Sequence, residues 1–280
     1  MSGHFHPLGP LERLAKAVAK LAGDVAWTVF PPRPGHEQAL AQAESFVETG
    51  RPEQAVPLLA PMRRGVERMQ GPCGPACRAR WHLAWGYCRG CASSLDEAWF
   101  SFDAARREAA DVEDADLAAR LRLRAQVEMA IVALAKGQPL DDVASLVDEA
   151  VRLSAGVEDP YALMRLGHDL GNLGQAEHQA GRWKAARAHY EQALATGLRV
   201  PPPALLAADA ETRSLLVWAG ARAIAGRAAM EIARTLATLG DVEGMREWFD
   251  RGLAAMEGPA HPRLLLSRGV LSLERARAES

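Results

Sequence analysis

Small side chains recur along this chain at a nearly constant interval, and that recurrence limits it to very few folds. Ala55, Ala98, Val143 and Ala186 stand 43, 45 and 43 residues apart, and Met245 follows 59 residues later. The clearest copy of the surrounding frame reads Leu173-Gly174, Gly181-Arg182-Trp183, Ala186, Tyr190 and Ala193-Leu194. Small residues stand where two helices would cross closely, and large ones fill the space between. Gly181 breaks two runs of helical apolar period, so the segment reads as helix, tight turn, helix. Gly50, Ala55 and Leu59 repeat the frame early in the chain, and Gly86, Ala98, Phe102 and Ala105 repeat it next. Val143, Val147 and Ala150 follow the break at Lys136-Gly137, and Gly240, Met245, Phe249 and Leu253 form the last copy. Near-equal intervals of this kind mark a repeated structural unit, in which each copy buries its apolar face against its neighbours.

Composition agrees. Of the 280 residues 49% are hydrophobic, mostly Ala and Leu, which favour helix over strand and suffice for a buried core. Lys and Arg number 33 against 35 Asp and Glu, a formal charge of −2. A dedicated nucleic-acid binder carries a basic excess, so no nucleic-acid partner is expected. No stretch approaches the roughly 18 uninterrupted apolar residues of a membrane span. Lys20 and Asp24 interrupt the apolar positions near the N-terminus, which lacks the compact core of a secretory signal. Four cysteines are too few for a disulfide scaffold, and a cytoplasmic protein with reduced thiols is expected.

The frame resembles the tetratricopeptide repeat. That family's signature sets an aromatic or Leu-Gly pair in a first helix and Gly, aromatic, Ala and aromatic in the second half. The resemblance covers residues 36 to 257, with Leu170 to Leu198 the best copy. The interval exceeds the usual repeat of about 34 residues. It is closer to the extended variety of kinesin light chain and many bacterial regulatory proteins. Val143 and Met245 stand where the family has Ala, and Ser93 and Gln138 where it has the turn Gly. The resemblance implies an all-α solenoid of antiparallel helix pairs, wound as a right-handed superhelix.

The expected organisation has three parts. Residues 1–34 hold an amphipathic helix over about 10–29 and a linker stiffened by Pro31, Pro32 and Pro34. Residues 35–258 hold about five helix pairs, at 36–69, 75–110, 114–155, 160–198 and 209–257. Residues 259–280 hold a capping helix, with Leu264, Leu266, Val270 and Leu273 as its apolar stripe. In the N-terminal helix Leu11, Leu14, Val18, Leu21 and Val25 line one face, with Arg13, Lys16 and Lys20 off it. Such a helix can lie on a membrane, but covering the open end of the first repeat is the preferred reading.

Two constellations have the look of chemistry. Cys73-x3-Cys77 and Cys88-x2-Cys91 have the spacing of two halves of a zinc site. The stretch between them is the first helix of a repeat, and a continuous helix would set Cys77 and Cys88 about 16 Å apart. Four thiolates on one zinc lie within about 4 Å of each other, so no metal is assigned. A reversible Cys73–Cys77 disulfide is the other use of that loop. Second, Leu166-Gly167-His168-Asp169-Leu170-Gly171-Asn172 resembles the His-Asp core of the HD phosphohydrolases, where adjacent ligands bind a metal that activates water. Such a site also needs an earlier His and a later Asp, for which His82 and Asp209 are the candidates, and Asn172 stands where that family has Lys. The same residues sit in register with the repeat, so a metal-dependent hydrolase is the lesser alternative. Other catalytic signatures are absent, and no enzyme and no cofactor is expected.

By the tetratricopeptide resemblance, ligand-contacting side chains lie on one stripe of each first helix, along a concave groove. They are Glu37, Glu44 and Glu48; Arg80, Tyr87 and Cys91; Glu128 and Lys136; His168, Gly171, Asn172, Gln175, His178 and Gln179; and Arg227, Glu231 and Arg234. Each set falls on one helical face by the i, i+3, i+4, i+7 rule. Asn172 matches the amide with which carboxylate-clamp members hold a peptide backbone. Gly171 and Gln179 stand where the clamp has Lys, so recognition of a C-terminal carboxylate is not expected. The function expected is a non-catalytic adaptor that binds another protein or an extended peptide in the groove. A regulatory sensor whose superhelix responds to a small peptide is the alternative.

Overall fold

The computed structural model describes residues 35–68, 74–202, 208–258 and 261–279. The expected N-terminal helix, its proline linker and Cys73 lie outside the described residues. The chain divides into two compact units, Met1–Leu121 and Arg122–Ser280.

In the first unit α1 (His36–Glu48) is followed by α2 (Pro52–Leu59), a 3-10 turn (Ala60–Met62) and the short α3 (Arg63–Glu67). Then come α4 (Gly74–Cys91), α5 (Leu95–Glu108) and the start of α6 (Ala115–Ala135). The second unit holds the rest of α6, α7 (Leu140–Ser154), α8 (Pro160–Gln179), α9 (Trp183–Arg199), α10 (Ala208–Thr238), α11 (Val242–Ala255) and α12 (Pro262–Glu279). No strand occurs among the described residues, and the fold is all-α, built of antiparallel helix pairs.

One device closes each pair. Gly50, Ser93, Gly137, Gly181 and Gly240 all have positive φ, between 62° and 77°. At each, the amide of the next residue donates to the carbonyl five residues back: Arg51 to Phe46, Ser94 to Arg89, Gln138 to Ala133, Arg182 to Glu177 and Asp241 to Leu236, at 2.8–3.1 Å. This six-to-one bond, with a left-handed residue inside it, is the Schellman motif that ends a helix. Sequence spacing assigned the third turn to Gln138, but the left-handed residue is Gly137. Ser93 adopts the same conformation at φ 62°, at a steric cost that glycine does not bear. Starts are also encoded locally. The Asp159 carboxylate accepts from the Ala162 amide at 3.0 Å before Pro160 opens α8, and Asp241 accepts from Gly244 at 2.9 Å to open α11.

Packing follows the recurring small residues. Ala55, Ala98, Val143, Ala186 and Met245 are each no more than 1% exposed. A Cβ on Gly174 would meet the Tyr190 ring at 2.9 Å, and one on Gly86 would meet Phe102 at 2.7 Å, so these glycines let the two helices of a pair touch. Trp81 anchors the first unit's core with Leu40, Leu59 and Met62, its indole donating to the Leu59 carbonyl at 3.0 Å. Leu166, Leu170, Leu173, Trp218, Ile232 and Phe249 are buried in the second.

The terminal helix departs from its expected stripe. Leu264 and Leu271 are buried, whereas Leu266, Val270 and Leu273 are 72%, 46% and 54% exposed. At about 100° per residue, Leu264 and Leu271 share one side of α12 and the other three share the opposite side. The sequence stripe had merged two faces, and only the first packs on α10 and α11.

Candidate functional site

The expected groove residues meet different fates in the two units. In the first, the Arg80 guanidinium on α4 reaches both Glu44 oxygens at 2.8 and 2.6 Å and also pairs with Glu37. The two carboxylates hold the Arg80 charge firmly, and Arg80 in turn lowers Glu37 below its usual range. Tyr87 packs against the unit's core, and Glu48 is half-buried. Acid and base that sequence set out as ligand contacts are joined to each other across α1 and α4.

In the second unit Glu128 on α6 is buried and receives two bonds from Arg165 on α8, both at 2.8 Å. Glu128 therefore ties α6 to α8. Lys136 and Gln179 are exposed at the ends of their helices. Arg234 pairs with Glu274 at 2.7 Å and Glu231 at 3.3 Å, so it too is engaged, between α10 and α12.

The remaining residues come together. His168, Gly171, Asn172 and Gln175 of α8 face Ile224, Arg227, Ala228 and Glu231 of α10 across a shallow depression of about 20 Å³, with Tyr190 of α9 at its edge. Arg227 donates to the Gln175 carbonyl at 2.8 Å, and the Asn172 amide lies 3.1 Å from a His168 ring nitrogen. Burial, with Arg165 and Arg227 nearby, holds His168 below its ordinary range and so neutral at pH 7. Nothing lies within 4 Å of where a Gly171 Cβ would stand, which leaves the floor open to another backbone.

Tyr190 also lines a second, larger depression of about 180 Å³. Its walls are Trp183, Lys184, Ala186 and Arg187 of α9, Ile232, Thr235, Leu236 and Leu239 of α10, and His178 of α8. His178 meets Trp183 edge to face at 4.1 Å. The two depressions adjoin at Tyr190 and make a trough along α10: the first lies between α8 and α10, and the second mainly between α9 and α10, with His178 its α8 wall. The trough's lining on α10 runs from Ile224 to Leu239, about 22 Å at 1.5 Å per residue. A buried pair beneath it, His189 Nδ1 to Glu177 Oε2 at 2.6 Å, fastens α9 to α8. Of the groove positions expected from sequence, His168, Gly171, Asn172, Gln175, Arg227 and Glu231 line the first depression and His178 the second. The rest of the second comes from the start of α9 and the end of α10, where Trp183, a large ring beside a turn glycine, is the one signal in the sequence.

The metal alternatives fare as their surroundings dictate. His168 lines the trough, but Asp169 does not: it is 3% exposed, and its oxygens have no hydrogen-bond partner among the described residues. Burial pushes its carboxyl well above the carboxylate range, with Glu128 adding to the effect and Arg165 opposing it. Burial thus disfavours the ionised form in which a carboxylate binds a metal. His82 sits half-buried on α4, and the Asp209 side chain lies outside the described residues. Helix α4 runs unbroken from Gly74 to Cys91, so it separates Cys77 from Cys88 as the sequence reading required. Cys77 donates to Glu37 at 3.4 Å, Cys88 donates to the Pro52 carbonyl at 3.5 Å with burial raising its thiol to about 12, and Cys91 is exposed. Among the described residues no group of three or more His, Cys, Asp or Glu side chains could hold a metal ion. No helix among them is long and apolar enough to cross a membrane.

No protein-family model and no curated protein matches the chain. Among solved structures it is similar to the apo form of the quorum sensor NprR from B. thuringiensis, at 11% identity and a TM-score of 0.40, over 86% of this chain and 70% of that one. It is also similar to NprR in complex with its cognate peptide NprX, at 13% identity and a TM-score of 0.37, over 96% and 80%. At these TM-scores neither likeness decides fold or ligand.

Proposed function

We propose that this chain is a non-catalytic, tetratricopeptide-like repeat protein that holds an extended peptide segment of a partner in the α8–α10 trough, with residues 259–280 covering one end of the repeats. One observation carries the reading. Stripe positions of the first helices α8 and α10 converge on an open depression, where they present amides beside the open space at Gly171. Amides serve as both donor and acceptor, so Asn172 and Gln175 suit the alternating groups of a peptide backbone. Arg227 can exchange its bond to Gln175 for one to a backbone carbonyl at little cost, because that bond is exposed. At about 3.3 Å per residue, a trough of this length spans about six or seven residues of extended chain.

The test is selection of a displayed random heptapeptide library on the immobilised protein. The wild type is expected to enrich a family of related peptides. Replacing Asn172, Gln175 and Arg227 together by Ala should lower their recovery at least about tenfold, the effect of losing one or two net hydrogen bonds. Replacing Arg80 by Ala should leave recovery unchanged. Absence of any enriched family, or loss of recovery with Arg80→Ala alone, refutes the assignment.

A further inference from the structure

The larger depression, between α9 and α10, has a size and a charge that say what it selects. We propose that it takes one large apolar side chain, the size of phenylalanine or leucine, from a peptide whose neighbouring residues are acidic. This rests on the peptide-binding reading above and names the partner's chemistry at the same site.

Size comes first. The depression measures about 180 Å³. An apolar protein cavity of about 150 Å³ holds one benzene molecule, whereas sites for cofactors and drug-sized ligands begin at about 300 Å³. One ring or one branched aliphatic side chain fits, and a nucleotide or flavin does not.

The walls come second. Ile232 and Leu236 form a buried apolar floor, and Trp183 and Leu239 stand at the mouth 51% and 75% exposed. A hydrophobic mouth beside a preformed hollow is the arrangement of an anchor pocket, in which one inserted side chain supplies most of the binding energy. Thr235 adds no polar demand, because its hydroxyl already donates to the Glu231 carbonyl at 2.9 Å.

Charge comes third. Lys184 and Arg187 rise from the first turns of α9 on the rim, with His178 beside them. The acid paired with this group is Glu191, 2.9 Å from Arg187, in an exposed i,i+4 pair. Such a pair is weak and is readily exchanged for another carboxylate. The start of α9 adds the partial positive charge of a helix N-terminus to the same rim. An incoming acidic residue next to the anchor therefore meets a cationic edge, whereas a basic one is repelled.

The same displayed library tests this. Enriched peptides should share one Phe, Leu or Trp with Asp or Glu within two positions of it. Thr235→Phe, which places a ring inside the hollow, should lower their recovery about ten- to a hundredfold, the worth of one buried apolar side chain. Should Thr235→Phe fail to fold by circular dichroism, Leu239→Asp, at an exposed position, sets an acid in the mouth and should give a similar loss. The double change Lys184→Glu with Arg187→Glu should turn the preferred flanks from acidic to basic. Enriched peptides lacking a common apolar residue, or carrying basic flanks on the wild type, would overturn the proposal. So would recovery that survives Thr235→Phe and Leu239→Asp but falls with the trough triple variant, which sinks the anchor pocket and leaves the trough. If the wild type enriches nothing, both readings fall.

Discussion

Two rows of first helices, one in each unit, use the same repeat positions in opposite ways. Between α1 and α4, Glu37 and Glu44 both pair with Arg80. Between α8 and α10, the corresponding stripe offers His168, Asn172, Gln175 and Arg227 around an open trough. The difference lies in side-chain chemistry. Two carboxylates facing a guanidinium form a charge-assisted, forked pair and close the space between their helices. Neutral amides form only single, exchangeable bonds, such as that of Gln175 to Arg227, and a glycine among them leaves room. A stripe of polar residues on a repeat is therefore a candidate for binding only where the next helix does not complement it.

The contrast can be broken most sharply beside the trough, at the buried ion pair. Arg165→Met leaves Glu128 buried without its cation and should destabilise the second unit by about 3–5 kcal/mol in urea unfolding, while Glu128→Gln in addition should restore much of it. If Arg165→Met is nearly neutral, the pair is not structural glue.

Asp169 sharpens the comparison through pH. Its carboxyl binds a proton more tightly folded than unfolded, because burial raises it above its ordinary 3.8. Its contribution is favourable below about pH 4 and turns increasingly unfavourable as pH rises from there toward the folded-state value. Asp169→Asn should therefore match the wild type near pH 4 and become progressively more stable than it toward neutral pH, read as urea midpoints across that range. A difference that does not change with pH would mean that the carboxyl is ionised.

The smallest effect belongs to the first unit. Arg80→Ala breaks partly exposed pairs and should cost no more than about 1 kcal/mol, as such pairs usually do. A larger loss would show that α1 depends on them for its place.

The fold was largely legible because its signals are short-range. Turn residues, Pro160 after Asp159, and small residues opposite Tyr190 and Phe102 sit within one helix pair, where spacing translates directly into geometry. The third turn glycine, Gly137 in the break at Lys136-Gly137, stands one residue ahead of the frame because Val143 lies six residues past its turn, where the other anchors lie five past theirs. The α12 stripe was misread because Leu is frequent on both of its sides, so composition could not say which side packs. Half of the candidate site was legible from its helical stripe. Trp183, Thr235 and Leu239 were not, since nothing in the chain joins the start of one helix to the end of the next.

By itself the sequence determined where helices begin, turn and cross, because those choices depend on φ, on caps and on side-chain size within a few residues. Tertiary packing alone decided which polar residues are consumed and which stay open. Arg80 lies 36 residues from Glu44, and Arg165 lies 37 from Glu128. Partners that far apart are chosen by how one helix settles against another, and the same packing left a hollow beside Trp183 that no local pattern encodes.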